Sequence, residues 1–295
     1  MTILFKSEED RVQVLNWYDR FRDRLGVEAE SRIVSTKFGE SHVLVTGPKD
    51  GAPLVVLHGA LASSAHVLVE LGPLLSRFRV YAVDVIGQSV KSAEVQLSVI
   101  NNDYGEWLSE VMDGLALSQA NVLGVSWGGF VAIRLAVVAP EQIASLSLLV
   151  PAGMVKTPMK NNFKVGIPMT MFLMAPNRKR MLRFLATQLT TMEDEEWVEY
   201  LGTAFHAYRM NMNVPVIAKP EELERLKAPV FIVAADGDLS FPGRDVLTRA
   251  EEVFPNLQKR ELIENSLHCP PTTDGFRQWL CKKLVEFVES SSSTV

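Results

Sequence analysis

The chain has 295 residues, 47% hydrophobic and 22% charged, which suits one large α/β domain or such a domain with an insertion. A formal net charge of −5 argues against nucleic acid as a partner. The opening residues, Met-Thr-Ile-Leu-Phe-Lys-Ser-Glu-Glu-Asp, lack the apolar core of a signal peptide and no uninterrupted apolar run reaches membrane-spanning length, so the expectation is a cytoplasmic protein without membrane association.

In chain order, Ser7-Glu8-Glu9-Asp10 resembles a capping box, and Val14, Leu15, Tyr18, Phe21 and Leu25 fall on one helical face. Together they predict an N-terminal helix over 7–25, packed on the body. Residues 32–37 and 41–46 are strand-like runs around Phe38-Gly39-Glu40 and predict a leading hairpin. Residues 53–60 form a continuous apolar run of the kind buried on both faces of a parallel sheet, ending in His58-Gly59-Ala60. Gly59 lets the chain bend sharply, so that the backbone N–H of Ala60 faces the same point as the N–H of Trp127; together they would form an oxyanion hole. His58, at a strand end, reads as a structural histidine. A helix over 64–75, a strand over 80–84 and a loop shaped by Asp84 and Gly87 follow. A helix over 101–117, with Trp107, Leu108, Val111 and Leu115 on one face, leads into the next strand.

That strand, 120–125, runs into Gly124-Val125-Ser126-Trp127-Gly128, and the helix-length apolar run 130–138 is stopped by Pro140. The pattern reads as a nucleophile elbow. Gly124 and Gly128 remove side chains that would collide as the backbone folds back, and the turn lifts the Ser126 hydroxyl clear of the sheet at a helix N-terminus. There, free N–H groups and the helix dipole favour a developing negative charge. A further strand is expected over 145–150.

The strand–helix alternation then breaks, and residues 152–228 contain no convincing buried strand. This divides the chain into a core, 1–151 and 229–295, and a helical cap over 152–228. Nine of the eleven methionines fall in the cap: Met154, Met159, Met169, Met171, Met174, Met181, Met192, Met210 and Met212. Met181, Leu182, Phe184, Leu185 and Leu189 suggest one helix, and Trp197, Tyr200, Leu201, Ala204, Phe205 and Tyr208 a face of another. From 152 to 192 the bases are Lys156, Lys160, Lys164, Arg178, Lys179, Arg180 and Arg183, with no acid before Met192. Adaptable thioether side chains suit a lid over an apolar substrate, so the expected pocket is walled by Trp127, Met171, Met174, Phe205 and Leu239. The basic residues would either attract an anionic substrate or surface or merely solvate the outside of the lid.

Alternation resumes with the buried strand starting at Pro229, which ends at two candidate acids, Asp236 and Asp238. A helix over 243–254, a strand over 258–263, a loop carrying His268 and a helix over 273–287 follow, with 290–293 as a frayed tail. Cys269 and Cys281, the only cysteines, lie in one C-terminal segment and match neither a disulfide framework nor metal-ligand spacing.

Over nearly its whole length the chain resembles the α/β-hydrolase family, most closely small cap-bearing bacterial serine esterases. The resemblance rests on His58-Gly59, Asp84-x-x-Gly87, Gly124-x-Ser126-x-Gly128, Asp238 four before Pro242, and His268-x-Pro270. It implies an eight-stranded, mostly parallel sheet with a helical cap after the sixth strand, and the chain order Ser126, Asp238, His268 for nucleophile, acid and base. Ser89 stands where the family often has a second glycine, and Ser266-Leu267 where Ala-Gly is commoner. The implied chemistry is cleavage of a small or medium apolar carboxylic ester through an acyl-enzyme, with no cofactor and no metal. Carbon–carbon bond hydrolysis, acyl transfer to peroxide, and a small-ligand receptor with vestigial turnover are the alternatives.

Overall fold

The structure, a computed structural model, describes residues 4–209 and 213–292. Met210 and Met212 of the methionine cluster and Ser293 of the expected tail lie outside the described residues. Helix α1 (Glu8–Arg24) starts where Ser7 Oγ accepts the Asp10 N–H at 3.1 Å, and it buries Val14, Tyr18 and Phe21. Strands β1 (Glu30–Thr36) and β2 (Gly39–Thr46) pair antiparallel as a hairpin. Then come β3 (Ala52–Leu57), α2 (Ser64–Glu70), β4 (Phe78–Val83), α3 (Asp103–Gly114), β5 (Ala120–Val125), α4 (Trp127–Val138) and β6 (Ile143–Leu149). Between β6 and the next strand the chain runs through α5 (Met159–Met174), α6 (Arg178–Leu185), α7 (Glu195–Ala207) and the short α8 (Pro220–Leu223). It closes with β7 (Val230–Ala235), α9 (Gly243–Val253), β8 (Leu257–Ile263) and α10 (Asp274–Ser292).

The eight strands form one sheet in the order β1-β2-β4-β3-β5-β6-β7-β8, and β2 runs against its neighbours while the rest are parallel. The continuous apolar runs have a simple cause. In β3, Leu54 and Val56 join the core under α1, α2 and α10, while Val55 and Leu57 join the core under α3, α4 and α9. A strand covered on both faces needs apolar residues at every position, not alternate ones.

Two sequence expectations are corrected. The helix over 64–75 stops at Glu70, and a tight 3₁₀ turn over Gly72–Ser76 follows, because Pro73 has no N–H to continue an α-helix. The C-terminal tail is helical through Ser292, with Ser290 and Ser291 hydroxyls donating back to the Phe287 carbonyl.

At the end of β4, Asp84 is fully buried and accepts from Ser64 N–H at 2.9 Å, Ser64 Oγ at 2.6 Å, Ser89 Oγ at 2.5 Å and the His42 ring at 2.7 Å. This satisfies a charge that burial alone would penalise; against that cost, the hydrogen-bonded His42 holds the carboxyl below its ordinary value. Ser89, the departure from glycine, is one of the donors. The chain ahead of α1 is tied to the end of α7: Lys6 N–H donates to the Ala207 carbonyl at 2.9 Å, Arg209 N–H to that of Leu4 at 2.7 Å, and the Phe5 and Tyr208 rings lie 4.4 Å apart.

Candidate active site

Ser126 occupies the single residue between β5 and α4, at φ 50° and ψ −109°, a conformation that costs a non-glycine residue of order 1–3 kcal/mol. Its backbone is held from several sides. Ser126 N–H donates to the Leu149 carbonyl at 2.9 Å, and its own carbonyl accepts from Gly129 at 2.9 Å, Ala152 at 3.0 Å and Phe130 at 3.2 Å. The turn needs its glycines. A Cβ on Gly124 would lie 2.5 Å from the Gly128 carbonyl oxygen, and one on Gly128 only 2.3 Å from that of Leu57.

Beyond β7, Asp238 is buried, and its Oδ1 accepts the N–H groups of Ser240 at 2.7 Å and Phe241 at 3.0 Å. Those bonds aim Oδ2 at the loop after β8, where His268 Nδ1–H donates to it at 2.7 Å. The other ring nitrogen, His268 Nε2, accepts from Ser126 Oγ–H at 2.9 Å. The structure thus brings Ser126, His268 and Asp238 into one hydrogen-bonded chain. Burial disfavours the charged imidazole, but the Asp238 carboxylate outweighs it and holds the His268 pKa above its ordinary value. Asp236 is exposed, and among the described residues its carboxylate accepts only the Ser266 N–H, at 3.3 Å, which orders the turn. Next to His268, burial pushes the Cys269 thiol up to about 12.

The loop after β3 faces the elbow. A Cβ on Gly59 would stand 3.5 Å from Ser126 Cβ, so the two turns touch with nothing between them. Ala62 N–H closes the loop onto the Gly59 carbonyl at 3.2 Å, and Leu61 takes φ 58°. The Tyr200 hydroxyl, from α7, donates to the Leu61 carbonyl at 2.5 Å. Ala60 and Trp127 both border the cavity at Ser126. His58 is buried beneath, its Nδ1–H donating to the Gly59 carbonyl at 2.7 Å and its Nε2 accepting Val85 N–H at 2.9 Å. Burial lowers its pKa, and with both nitrogens engaged it is a neutral structural group.

A cavity of about 360 Å³ opens over Ser126 and His268. Of the residues expected in its wall, Trp127 and Phe205 are there, whereas Met171, Met174 and Leu239 are not. Met171 and Met174 lie on the outer face of α5 in solvent, and beyond Asp238 the wall is taken by Ser240 and Phe241. Among the described residues no methionine lines the cavity; Leu61, Val67, Trp197, Leu201 and Phe205 do. Arg178 is not unopposed either, since it pairs with Glu199.

The sequence reading also misses a polar stretch of the same wall, formed by His66, Glu70, Gln188 and Arg277. Arg277 grips Glu70 with two hydrogen bonds, of 3.0 and 2.8 Å, and His66 stacks on Trp197 with ring centroids 3.6 Å apart. These residues come from separate elements, α2 and α10 among them, and no local pattern announces their meeting. Burial raises the Glu70 pKa in spite of Arg277, and lowers that of His66 far enough to keep the ring neutral.

A profile of the α/β-hydrolase fold matches residues 52–178. The chain is 28% identical over 270 residues to the uncharacterized carboxylesterase nap of Bacillus subtilis (strain 168), covering 86% of each. It is 26% identical over 267 residues to carboxylesterase YbfK of the same strain, covering 90% of each. The crystal structure of naproxen esterase (carboxylesterase NP) from Bacillus subtilis superposes with a TM-score of 0.81 at 25% identity, over 94% of this chain and 97% of that one. The chain has the α/β-hydrolase fold. It is a serine hydrolase of that fold, with Ser126 in the turn after the fifth strand. Of the four helices between β6 and β7, α7 supplies part of the cavity wall through Trp197, Leu201 and Phe205.

Proposed function

We propose that this hydrolase cleaves carboxylic esters with an apolar acyl part through an acyl-enzyme on Ser126, beneath a cap formed by residues 152–228. The observation that carries the reading is the hydrogen-bonded run from Ser126 Oγ through His268 to Asp238, of 2.9 and 2.7 Å, opening into a largely apolar cavity. His268 Nε2 takes the hydroxyl proton as Ser126 Oγ attacks the ester carbonyl carbon. The oxyanion rests on the N–H groups of Ala60 and Trp127, and Asp238 stabilises the imidazolium. The ester C–O bond breaks, and the leaving alkoxide takes the proton from His268. Water then attacks the acyl carbon, giving its proton to the same nitrogen, and the free acid leaves as Ser126 Oγ is reprotonated. The relatives named as carboxylesterases support the ester class over carbon–carbon cleavage.

The test pairs covalent labelling with turnover. A fluorophosphonate probe should modify wild-type protein at Ser126, and Ser126→Ala should lose both the label and about 10⁴-fold or more of ester turnover at unchanged Tm. Labelling at another serine, or turnover surviving in Ser126→Ala, overturns the assignment. A fully labelled wild type that turns over no member of an ester panel overturns the ester reading and leaves the nucleophile standing.

A further inference from the structure

Helix α5 presents two faces. Its inner face packs inward, with Phe172 buried and stacked on Phe184 of α6 at 6.3 Å, and Phe184 meets the cavity-wall ring of Phe205 edge-on at 4.7 Å. Its outer face is a run of large apolar side chains in solvent, successively four, four, four and three residues apart: Met159, Phe163, Ile167, Met171 and Met174. Phe163 is 61% exposed, Ile167 55% and Met174 81%, and Phe163, Ile167 and Met171 border a groove on the helix. Five large apolar residues on one helical stripe are more than a soluble surface ordinarily leaves uncovered.

The charges around the stripe say what covers it. Lys160 and Lys164 flank it on α5, Lys156 precedes it, and Lys179 and Arg183 follow on α6, all of them exposed; Arg178 is set aside, since Glu199 pairs with it. No carboxylate among the described residues lies within ion-pair distance of Lys156, Lys160, Lys164, Lys179 or Arg183, and no acid stands between residues 152 and 192. A single-sign basic border around an exposed apolar stripe, on a chain of net charge −5, is what an interfacial helix carries when it lies in an anionic lipid surface. A second copy of this acidic chain would have to place a matching acidic rim on the stripe, whereas a bilayer supplies both parts at once: phosphates at the level of the lysines and acyl chains below. We infer that the outer face of α5 docks the enzyme reversibly on anionic membranes, with Phe163, Ile167, Met171 and Met174 entering the acyl boundary. This is peripheral binding; among the described residues no helix is long and apolar enough to cross a membrane.

The experiment uses the full chain and two vesicle types, phosphatidylcholine alone and phosphatidylcholine mixed with phosphatidylglycerol, in a flotation assay. The protein should float with the anionic vesicles and stay behind with the neutral ones. Raising the salt should release it, because the attraction acts over a screening length of about 8 Å at physiological ionic strength. Phe163→Glu/Ile167→Glu and Lys160→Glu/Lys164→Glu should each weaken co-flotation at least tenfold while leaving turnover of a short water-soluble ester unchanged. Phe163→Trp gives an independent readout, its emission shifting to the blue only with the anionic vesicles. Failure of wild type to float with anionic vesicles, equal flotation with both types, or unimpaired flotation of Phe163→Glu/Ile167→Glu overturns the proposal. So does sedimentation showing a wild-type dimer that this variant dissociates, which assigns the stripe to a second copy instead.

Discussion

Two aspartates lie two residues apart at the end of β7, and their hydrogen bonds give them different work. Asp238→Asn should lower kcat/KM by about three to four orders of magnitude, because an amide facing His268 Nδ1 reverses which nitrogen carries the proton. Asp236→Asn keeps an acceptor for the Ser266 N–H and should change the rate little. Steady-state kinetics on both variants decide, and the opposite ranking makes Asp236 the triad acid. The pH profile adds a signed test. His268 must be neutral to act as a base, so kcat/KM should fall as pH drops through its folded-state pKa, which Asp238 holds above 6.5 against burial. In Asp238→Asn burial remains and the raising carboxylate is gone, so the acid limb should move to lower pH. At this scale most of the candidate site was legible: Gly124, Ser126 and Gly128 are contiguous, and the acid and base follow strand-like runs. The choice of wall residues was not. Methionine count says that a segment is apolar, but which side of α5 faces inward depends on its packing against Phe184, and no local pattern records that.

At the scale of elements, α7 both walls the cavity and ties down the loop after β3. The Tyr200 hydroxyl is a hydrogen-bond donor to the Leu61 carbonyl, next to the N–H of Ala60. Tyr200→Phe removes that donor while keeping the ring, leaving a carbonyl without its buried partner at a cost of about 1–3 kcal/mol. We expect kcat to fall by about tenfold with KM nearly constant, less than the ~10²–10³ cost of losing an oxyanion donor outright. A parallel rise in KM with unchanged kcat would make Tyr200 a structural tie only. The element pattern itself was readable wherever a strand is buried on both faces, since β3 and β7 are unbroken apolar runs and the one polar residue in β5 is Asn121. Ends were less so: α2 stops at Glu70, short of Pro73, and α10 runs on through serines whose hydroxyls donate to the Phe287 carbonyl.

At the scale of the molecule, α1, α2 and α7 meet in one aromatic cluster. Phe21 stands edge-on to both Tyr200, at 5.3 Å, and His66, at 4.9 Å, while Arg20 and Arg24 both pair with Glu196 at the rim. The rim pairs are half-exposed and contribute little. The ring carries the interface: Phe21→Ala should cost about 3–5 kcal/mol in urea unfolding. Combined with Tyr200→Phe, the two costs should fail to add, since the residues touch. Additive costs would mean that α1 and α7 are held by other contacts. This meeting of distant segments was the least legible feature, because α7 is separated from α1 and α2 by more than a hundred residues and each alone reads as ordinary core.

The pairing of the first described residues with the end of α7 offers a practical handle. Lys6 is exposed, yet its backbone is bonded to Ala207. Both native thiols are buried enough to sit at about 12, so neither ionises readily in neutral solution. A Lys6→Cys variant would therefore take a maleimide dye selectively, and its fluorescence anisotropy would follow α7 in real time as substrate or vesicles are added, without a reporter inside the cavity.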